Sequence, residues 1–209
     1  MFAANLSPVQ TPSTPLSSRG RATRVRLLAA ARQVFEERGF PDTRINHITA
    51  AAGVSYGSFY THFTSKESIF EEVASALFEE MFASDDAPHG TTPLERIAHA
   101  NRTYAERYRA NARLMGIVEQ VATIDAHFRG LRQQHRRTTT DRTSASIRRW
   151  QEQGTVPREL DARTAALALG AMLDRTLYLQ YVLNEGEATD EDLIGTLNLL
   201  TAQALGLRD

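Results

Sequence analysis

Apolar residues recur at the three- and four-residue spacing of an α-helix along most of this chain, and nowhere do they alternate with polar residues as in a half-buried β-strand. The first such pattern predicts a helix at residues 24–38, whose apolar face is formed by Leu27, Leu28, Ala31, Val34 and Phe35. Gly39 ends this helix, because glycine is favoured just past a helix C-terminus. The later patterns are also helical, and we expect an all-α fold.

Two short amphipathic segments follow, and Gly53 separates them. In the first, Ile45, Ile48 and Ala52 fall on one helical face, and Thr43 is placed to cap the N-terminus through its hydroxyl. Gly53 can adopt the positive φ that often follows a helix. The pattern therefore predicts a helix, a tight turn and a second helix.

The second segment, at residues 55–63, begins with Ser55, which is a favourable N-cap. Phe59 and Phe63 are four residues apart and point to the same side. The other positions carry small or hydrogen-bonding side chains: Tyr56, Gly57, Ser58, Tyr60, Thr61 and His62. A solvated helix would carry Lys and Glu there, so this composition is typical of a helix that lies in the major groove of DNA.

Further helices are predicted downstream at residues 66–82 with Ser65 as the N-cap, from Pro93 onwards, at 113–122, at 125–153, at 162–184 with Asp161 as the N-cap, and after the cap Thr189. The helix at 125–153 is polar, and we expect much of it to face solvent. The alternative is that His135, Thr138 or Thr139, Arg142 and Arg149 line a cavity and meet the polar end of a ligand. The helix at 162–184 is apolar on nearly all sides, which predicts burial on all sides.

Composition is that of a soluble protein, with 42% hydrophobic residues in 209. There is no cysteine, and the six histidines are dispersed, so we expect no disulfide, no metal site and no cofactor. The N-terminus shows no basic segment followed by an apolar one, and no apolar run is long enough to span a bilayer. We therefore expect cytoplasmic residence and no membrane partner.

Charge is distributed unevenly, although the net charge is only −1. Residues 1–68 hold eight basic and four acidic side chains, which leaves 16 basic and 21 acidic side chains for the rest. A basic end on an acidic molecule orients its approach to a phosphate backbone. Four arginines lie in the stretch SSRGRATRVR, which is either a solvated start of a helix or, as we favour, an arm that contacts phosphates or the minor groove.

The sequence GVSYGSFYTHFTSKESIFEEV at residues 53–73 resembles the signature of the TetR family of one-component transcriptional repressors. The resemblance extends back through Phe35, Glu37, Arg38, Gly39, Phe40 and Thr43, and covers roughly residues 24–75. It implies a homodimer whose last two helices form a four-helix interface, and a phosphate contact for Lys66. The remaining chain resembles the family only in its order of helices.

The expected organisation has four parts: a disordered tail at 1–18, a helix-turn-helix DNA-binding domain at 19–64, a connecting helix at 65–83, and a ligand-binding and dimerisation domain at 84–209. The expected function is that of a repressor that binds a palindromic double-stranded operator as a homodimer and is released by a small apolar or amphipathic effector. A helical adaptor and an enzyme with a helical body are the less favoured alternatives.

Candidate site residues fall into three groups. The expected phosphate contacts are Thr43, Tyr60 and Lys66, the candidates for base edges are Tyr56, Ser58, Thr61 and His62, Arg44 can serve either purpose, and Ser55 and Gly57 complete the DNA-binding set. The candidates for ligand binding are Asn101, Tyr104, Tyr108, Met115, Glu119 and Tyr178. The expected dimer interface contains Leu169, Met172, Leu173, Leu177, Leu193, Leu197 and Leu200.

The segment Gly53-Val54-Ser55-Tyr56-Gly57 also matches the G-x-S-x-G pattern of a hydrolase nucleophile elbow. That elbow requires a β-strand leading into the serine. The preceding INHITAAA has helical periodicity, so we expect this match to be a coincidence and the chain not to be an enzyme.

Overall fold

The computed structural model describes residues 17–83, 90 and 92–207. This described part contains helices and no strands, which confirms the all-α prediction. The helices are α1 Ser18–Asp42, α2 Ile45–Ala52, α3 Tyr56–Tyr60, α4 Lys66–Phe82, α5 Pro93–Ala110, α6 Ala112–Ile124, α7 Ala126–Glu152, α8 Ala162–Tyr181 and α9 Asp190–Ala204. Nearly all of the tail predicted at 1–18 lies outside the described residues. Among the described helices, none is both long and apolar enough to cross a membrane.

Helix α1 begins at Ser18, earlier than predicted, because Ser17 caps it by accepting a hydrogen bond from the Gly20 N–H at 3.2 Å. The arginine-rich stretch is therefore helical and not a flexible arm, and its contact with phosphates stays a prediction. Gly39 breaks the helical dihedrals with φ 75° and ψ 169°, at the position where the sequence predicted the end of the helix. After this kink at Gly39, helix α1 continues to Asp42.

The turn between α2 and α3 forms as predicted. Gly53 has φ 62° and ψ 41°, and the Ser55 hydroxyl accepts a hydrogen bond from the Ser58 N–H at 3.2 Å. The N-cap of α2 is Arg44 and not Thr43. Helix α3 ends at Tyr60, so it is shorter than the segment predicted at 55–63.

One aromatic cluster joins the first three helices to the rest of the molecule. Phe70 on α4 lies 5.0 Å from Phe35 on α1 and 5.1 Å from Phe128 on α7, measured between ring centroids. Phe59 and Phe63 are buried in the same core. Helix α3 is too short to be stable alone, and the burial of Phe59 and Phe63 in this core holds it in position.

Helix α8 is not buried on all sides in the single chain, and the partner expected to cover its outer side stays a prediction. Only Ala162, Ala166 and Leu177 are fully buried along it. The predicted caps Ser65, Asp161 and Thr189 are confirmed, because each accepts a hydrogen bond from a backbone N–H in the first turn of its helix. A second core cluster contains Trp150 of α7 together with Ala162 and Ala166 of α8.

Candidate nucleic-acid interface

The exposed surface of α3 is formed by two tyrosines and the small residues between and beside them. Tyr56 and Tyr60 are 54% and 48% exposed, and their hydroxyl oxygens lie 3.1 Å apart. The hydrogen bond with Tyr56 raises the pKa of Tyr60. Ser55, Gly57 and Thr61 are exposed on the same short segment. Because Phe59 and Phe63 anchor the segment in the core, these polar groups are held facing outwards.

Ser58 and His62 are only half-buried, so they are less available than the tyrosines. The Nδ1 atom of His62 is buried and has no hydrogen-bond partner among the described residues. Part of the imidazole therefore faces the interior, although the side chain as a whole still reaches the surface.

Thr43 is 1% exposed, and its hydroxyl donates to the Gly39 carbonyl at 2.6 Å. This arrangement contradicts its predicted roles as a helix cap and as a phosphate contact, because the hydroxyl is used inside the protein. Arg44, the next residue, is exposed.

Lys66 links the start of α4 to the end of α1. Its Nζ donates to the carbonyls of Phe40 at 2.8 Å and Pro41 at 3.4 Å, and it lies 4.3 Å from the centroid of the Phe40 ring. An ammonium group has three N–H donors, so one donor is left for a phosphate. This structural role of Lys66 could not be predicted locally, because the two carbonyls lie about 25 residues earlier in the chain.

Two arginines of α1 make contacts within the protein; α1 to α3 together are called the head below, and α5 to α9 the body. Arg24 forms an ion pair with Glu72 on α4 and lies 5.1 Å from the centroid of the Phe63 ring. Arg32 pairs with Glu36 and with Glu80. The pairs with Glu72 and Glu80 link α1 to α4, and all three pairs reduce the basic charge that the head can offer to a polyanion.

The G-x-S-x-G match is not a nucleophile elbow. Helix α2, and not a strand, precedes Gly53, and the Ser55 hydroxyl caps α3. In the described part of the chain, no group of three His, Asp or Glu side chains is arranged to hold a metal ion.

A cavity of about 1040 Å³ is lined by residues from each of the helices α4 to α9. Four of the six residues predicted to bind a ligand line it, namely Asn101, Tyr104, Glu119 and Tyr178. Tyr108 and Met115 do not line this cavity; they are 0% and 2% exposed and belong to the core. Helical spacing places all six on inward faces, but it cannot distinguish a core position from a cavity wall.

Arg132 is the centre of a polar cluster on the cavity wall that the sequence did not reveal. Its guanidinium pairs with Glu119 on α6 and, at 2.8 Å, with Asp174 on α8. Burial lowers the pKa of Arg132, but the carboxylates of Asp174 and Glu119 outweigh this effect and raise it. The Tyr104 hydroxyl donates to Asp174 at 2.9 Å, and burial followed by the Asp174 charge raises the pKa of Tyr104. The cluster therefore joins four helices.

His135 occupies the wall beside the connecting helix α4. Its ring centroid lies 4.4 Å from that of Phe78 and 4.2 Å from that of Phe82. Its Nε2 is buried and has no hydrogen-bond partner in the described structure. The cavity-lining alternative for the helix predicted at 125–153 therefore agrees with the geometry of His135, Thr139 and Arg149, whereas Thr138 and Arg142 lie outside the lining.

The residues predicted for a dimer interface occupy different environments. Leu177 and Leu197 are buried within the chain, so they are not available to a partner, which corrects that part of the prediction. Leu169, Met172, Leu173 and Leu193 are partly buried, and Leu200 is exposed. Two leucines that the prediction omitted are more exposed than Leu200 at 44%: Leu167 at 48% and Leu199 at 57%.

Residues 27–73 match the family profile described as "Bacterial regulatory proteins, tetR family". The chain is 45% identical over 58 residues to the uncharacterized HTH-type transcriptional regulator YdgC of Bacillus subtilis, which is 28% of this chain and 30% of that protein. It is 36% identical over 89 residues to the HTH-type transcriptional repressor KstR2 of Mycolicibacterium smegmatis, which is 42% of this chain and 41% of that protein. The chain thus matches less than half of the length of these curated relatives.

Two solved structures extend the comparison to the body. A putative TetR-family transcriptional regulator from Rhodococcus sp. superposes with a TM-score of 0.73 at 18% identity, covering 88% of this chain and 99% of that one. The fatty acid degradation regulator FadR from Bacillus halodurans superposes with a TM-score of 0.71 at 20% identity, covering 93% of this chain and 100% of that one. At these identities the likeness shows the fold alone.

Proposed function

We propose that the chain is a ligand-responsive repressor of the TetR family, which binds a palindromic operator as a homodimer and is released by a small-molecule effector. The match of residues 27–73 to the profile of that family supports this proposal. The matching relatives are named transcriptional regulators and repressors, which supports the prediction of a regulator and not an enzyme. The palindromic operator, the homodimer, the effector and the cytoplasmic location are parts of this proposal.

The observation that carries the proposal is the outward-facing pair Tyr56 and Tyr60 on a helix whose other side is buried. In a major groove, Tyr56, Ser58, Thr61 and His62 would face base edges, with Ser55 and Gly57 close to the backbone. Tyr60 and the remaining donor of Lys66 would contact phosphates, and the exposed Arg44 could meet either. Thr43 is left out of this set because its hydroxyl is occupied.

The proposed division of the chain into domains follows the boundaries of its helices. Residues 19–64 would be the DNA-binding domain, 65–83 the connecting helix and 84–209 the ligand-binding and dimerisation domain. The exposed faces of α8 and α9 carry Leu167, Leu199 and Leu200, which are apolar groups suited to a two-fold interface.

The effector would act through α4, which connects the α3 surface to the cavity wall. Phe78 and Phe82 on α4 contact His135, so a ligand that moves this ring would also move the helix that carries the head. Release requires that the ligand favour a spacing of the two heads that does not fit the operator.

The test is selection of duplexes from random DNA by the full chain, followed by mobility-shift titrations at several salt concentrations. We expect an inverted repeat with half-sites roughly one helical turn or somewhat more apart, and affinity that falls steeply with salt. Tyr60→Phe should weaken binding to every duplex about tenfold, because one hydrogen bond to a phosphate is lost. Tyr181→Phe, in the body, is the matched control and should bind normally. A chain that retains no duplex would favour the adaptor alternative.

A further inference from the structure

We propose that the cavity binds an amphipathic anion, in which a carboxylate, sulfate or phosphate headgroup is joined to an apolar chain. This inference rests on the proposed function, because it names the chemical class of the effector. It depends on the balance of charges on the cavity wall.

Four arginines on the wall have no acidic partner among the described residues: Arg96, Arg136, Arg149 and Arg175. Three of them make only neutral contacts, in which Arg96 donates to the Gly90 carbonyl at 3.2 Å, Arg149 donates to the Ser146 hydroxyl at 2.8 Å, and Arg175 lies 4.8 Å from the centroid of the Tyr178 ring. A carbonyl, a hydroxyl or a ring stabilises a guanidinium without neutralising it.

The two acidic side chains of the cavity wall already have a basic partner. Glu119 and Asp174 both pair with Arg132, and Asp174 also accepts the Tyr104 hydroxyl. A cationic ligand would have to compete with the buried Arg132 for these carboxylates, and the buried guanidinium would lose its partners. The uncompensated charge on the wall is therefore positive.

His135 adds a neutral hydrogen-bonding group to the cavity wall. Burial lowers its pKa to about 4, and the guanidinium charges of Arg132 and Arg142 add to this effect, opposed only by Asp174. The imidazole is thus neutral near pH 7, and its unpartnered Nε2 offers a ligand a hydrogen bond.

The remaining cavity wall is apolar and suits the apolar chain of such a ligand. Phe82, Ile147, Trp150 and Leu173 line the cavity, whose volume of about 1040 Å³ lies at the upper end of the range for small-molecule sites. A small inorganic anion would leave most of this apolar surface uncovered, whereas a long amphiphile would cover it and place its headgroup at an arginine.

The experiment compares four probes on the full chain without DNA: decanoate, decyl sulfate, decanol and decyltrimethylammonium, each below its micelle-forming concentration. Trp150 is the only tryptophan of the chain and lines the cavity, so its fluorescence reports binding directly. We expect at least one of the two anions to bind about tenfold more tightly than decanol, and the cation to bind more weakly than decanol. Comparison of the two anions distinguishes a planar carboxylate from a tetrahedral headgroup.

Replacing Arg96, Arg136, Arg149 and Arg175 by Gln one at a time locates the headgroup. At least one variant should lose about tenfold in affinity for the preferred anion and nothing for decanol. Arg113→Gln is the matched control, because Arg113 is an exposed arginine outside the cavity lining. Circular dichroism checks that every variant is folded.

The proposal is overturned if decanol binds as tightly as both anions, if the cation binds most tightly, if no probe changes the Trp150 signal, or if all four arginine variants behave like Arg113→Gln. None of these results would affect duplex binding by the ligand-free chain. Failure of the effector class and failure of the proposed repressor function are therefore distinguishable.

Discussion

His135 shows how one side chain can connect the cavity to the rest of the molecule. Its ring packs on Phe78 and Phe82 of α4, and its neighbours Arg132 and Arg142 disfavour the imidazolium form. Burial is the main reason that the pKa of His135 falls to about 4, from an ordinary value near 6.5. Between these two pH values the unfolded chain binds a proton that the folded chain does not bind.

The free energy of unfolding should therefore decrease as the pH falls from about 6.5 towards 4. His135→Phe keeps a ring in the stack and removes the titration, so its urea-unfolding midpoint should fall less than that of the unsubstituted chain over this interval. Carboxylates titrate in both proteins, and the difference between the two profiles isolates His135. A proton NMR titration in which the His135 resonance shifts near pH 6.5 would contradict this prediction.

At the scale of elements, the sequence predicted the helices well because their signals are local. Ser55, Ser65, Asp161 and Thr189 cap helices through hydrogen bonds to residues three positions away, and all four caps were predicted. The N-cap of α2 was misplaced because two local uses of one hydroxyl compete. Thr43 donates its hydroxyl back to the end of α1 and leaves the N-cap of α2 to Arg44.

The candidate site was predictable only in part, for the same reason. The α3 residues form one continuous motif, so a single stretch of sequence contains most of the DNA-binding set. The cavity draws its charged residues from separate helices, and no local pattern relates Arg132 to Glu119 and Asp174. Periodicity identified inward faces but not which inward residues border empty space, as Tyr108 and Met115 illustrate.

The turn between α2 and α3 can be tested with two glycines. Gly53 has φ 62° and no atom within 4 Å of a built Cβ, so Gly53→Ala incurs only the cost of the left-handed backbone. We expect a loss of about 1–2 kcal/mol in the free energy of unfolding, measured by urea denaturation. Gly130→Ala is the matched control, because Gly130 lies in α7 with equally open space and no positive φ. It should stabilise the protein by about 0.5–1 kcal/mol, and a shift of the same sign in both variants would contradict the argument.

At the scale of the whole molecule, the charges and the apolar surface lie on different parts of the chain. Residues 1–68 carry a net positive charge, because they hold eight basic but only four acidic side chains, whereas Leu167, Leu199 and Leu200 are exposed on α8 and α9. A molecule arranged in this way can pair through its body while both heads face a polyanion. Leu167 also lines the cavity, so a partner on this face would lie close to the bound effector.

The proposed pairing can be broken at Leu199, which is 57% exposed in the single chain. Leu199→Arg places a charge where a two-fold interface would remove it from water, and an unpaired buried charge is strongly destabilising to a complex. We expect light scattering to give the monomer mass of 23.3 kDa for this variant and twice that mass for the unsubstituted chain. Ile124→Arg is the control, because Ile124 is 74% exposed on α6 and this variant should remain a dimer.

Since an inverted repeat is bound by two heads together, the monomeric variant should also bind the selected operator far more weakly than the control does. A Leu199→Arg protein that remains dimeric would place the interface elsewhere on the molecule.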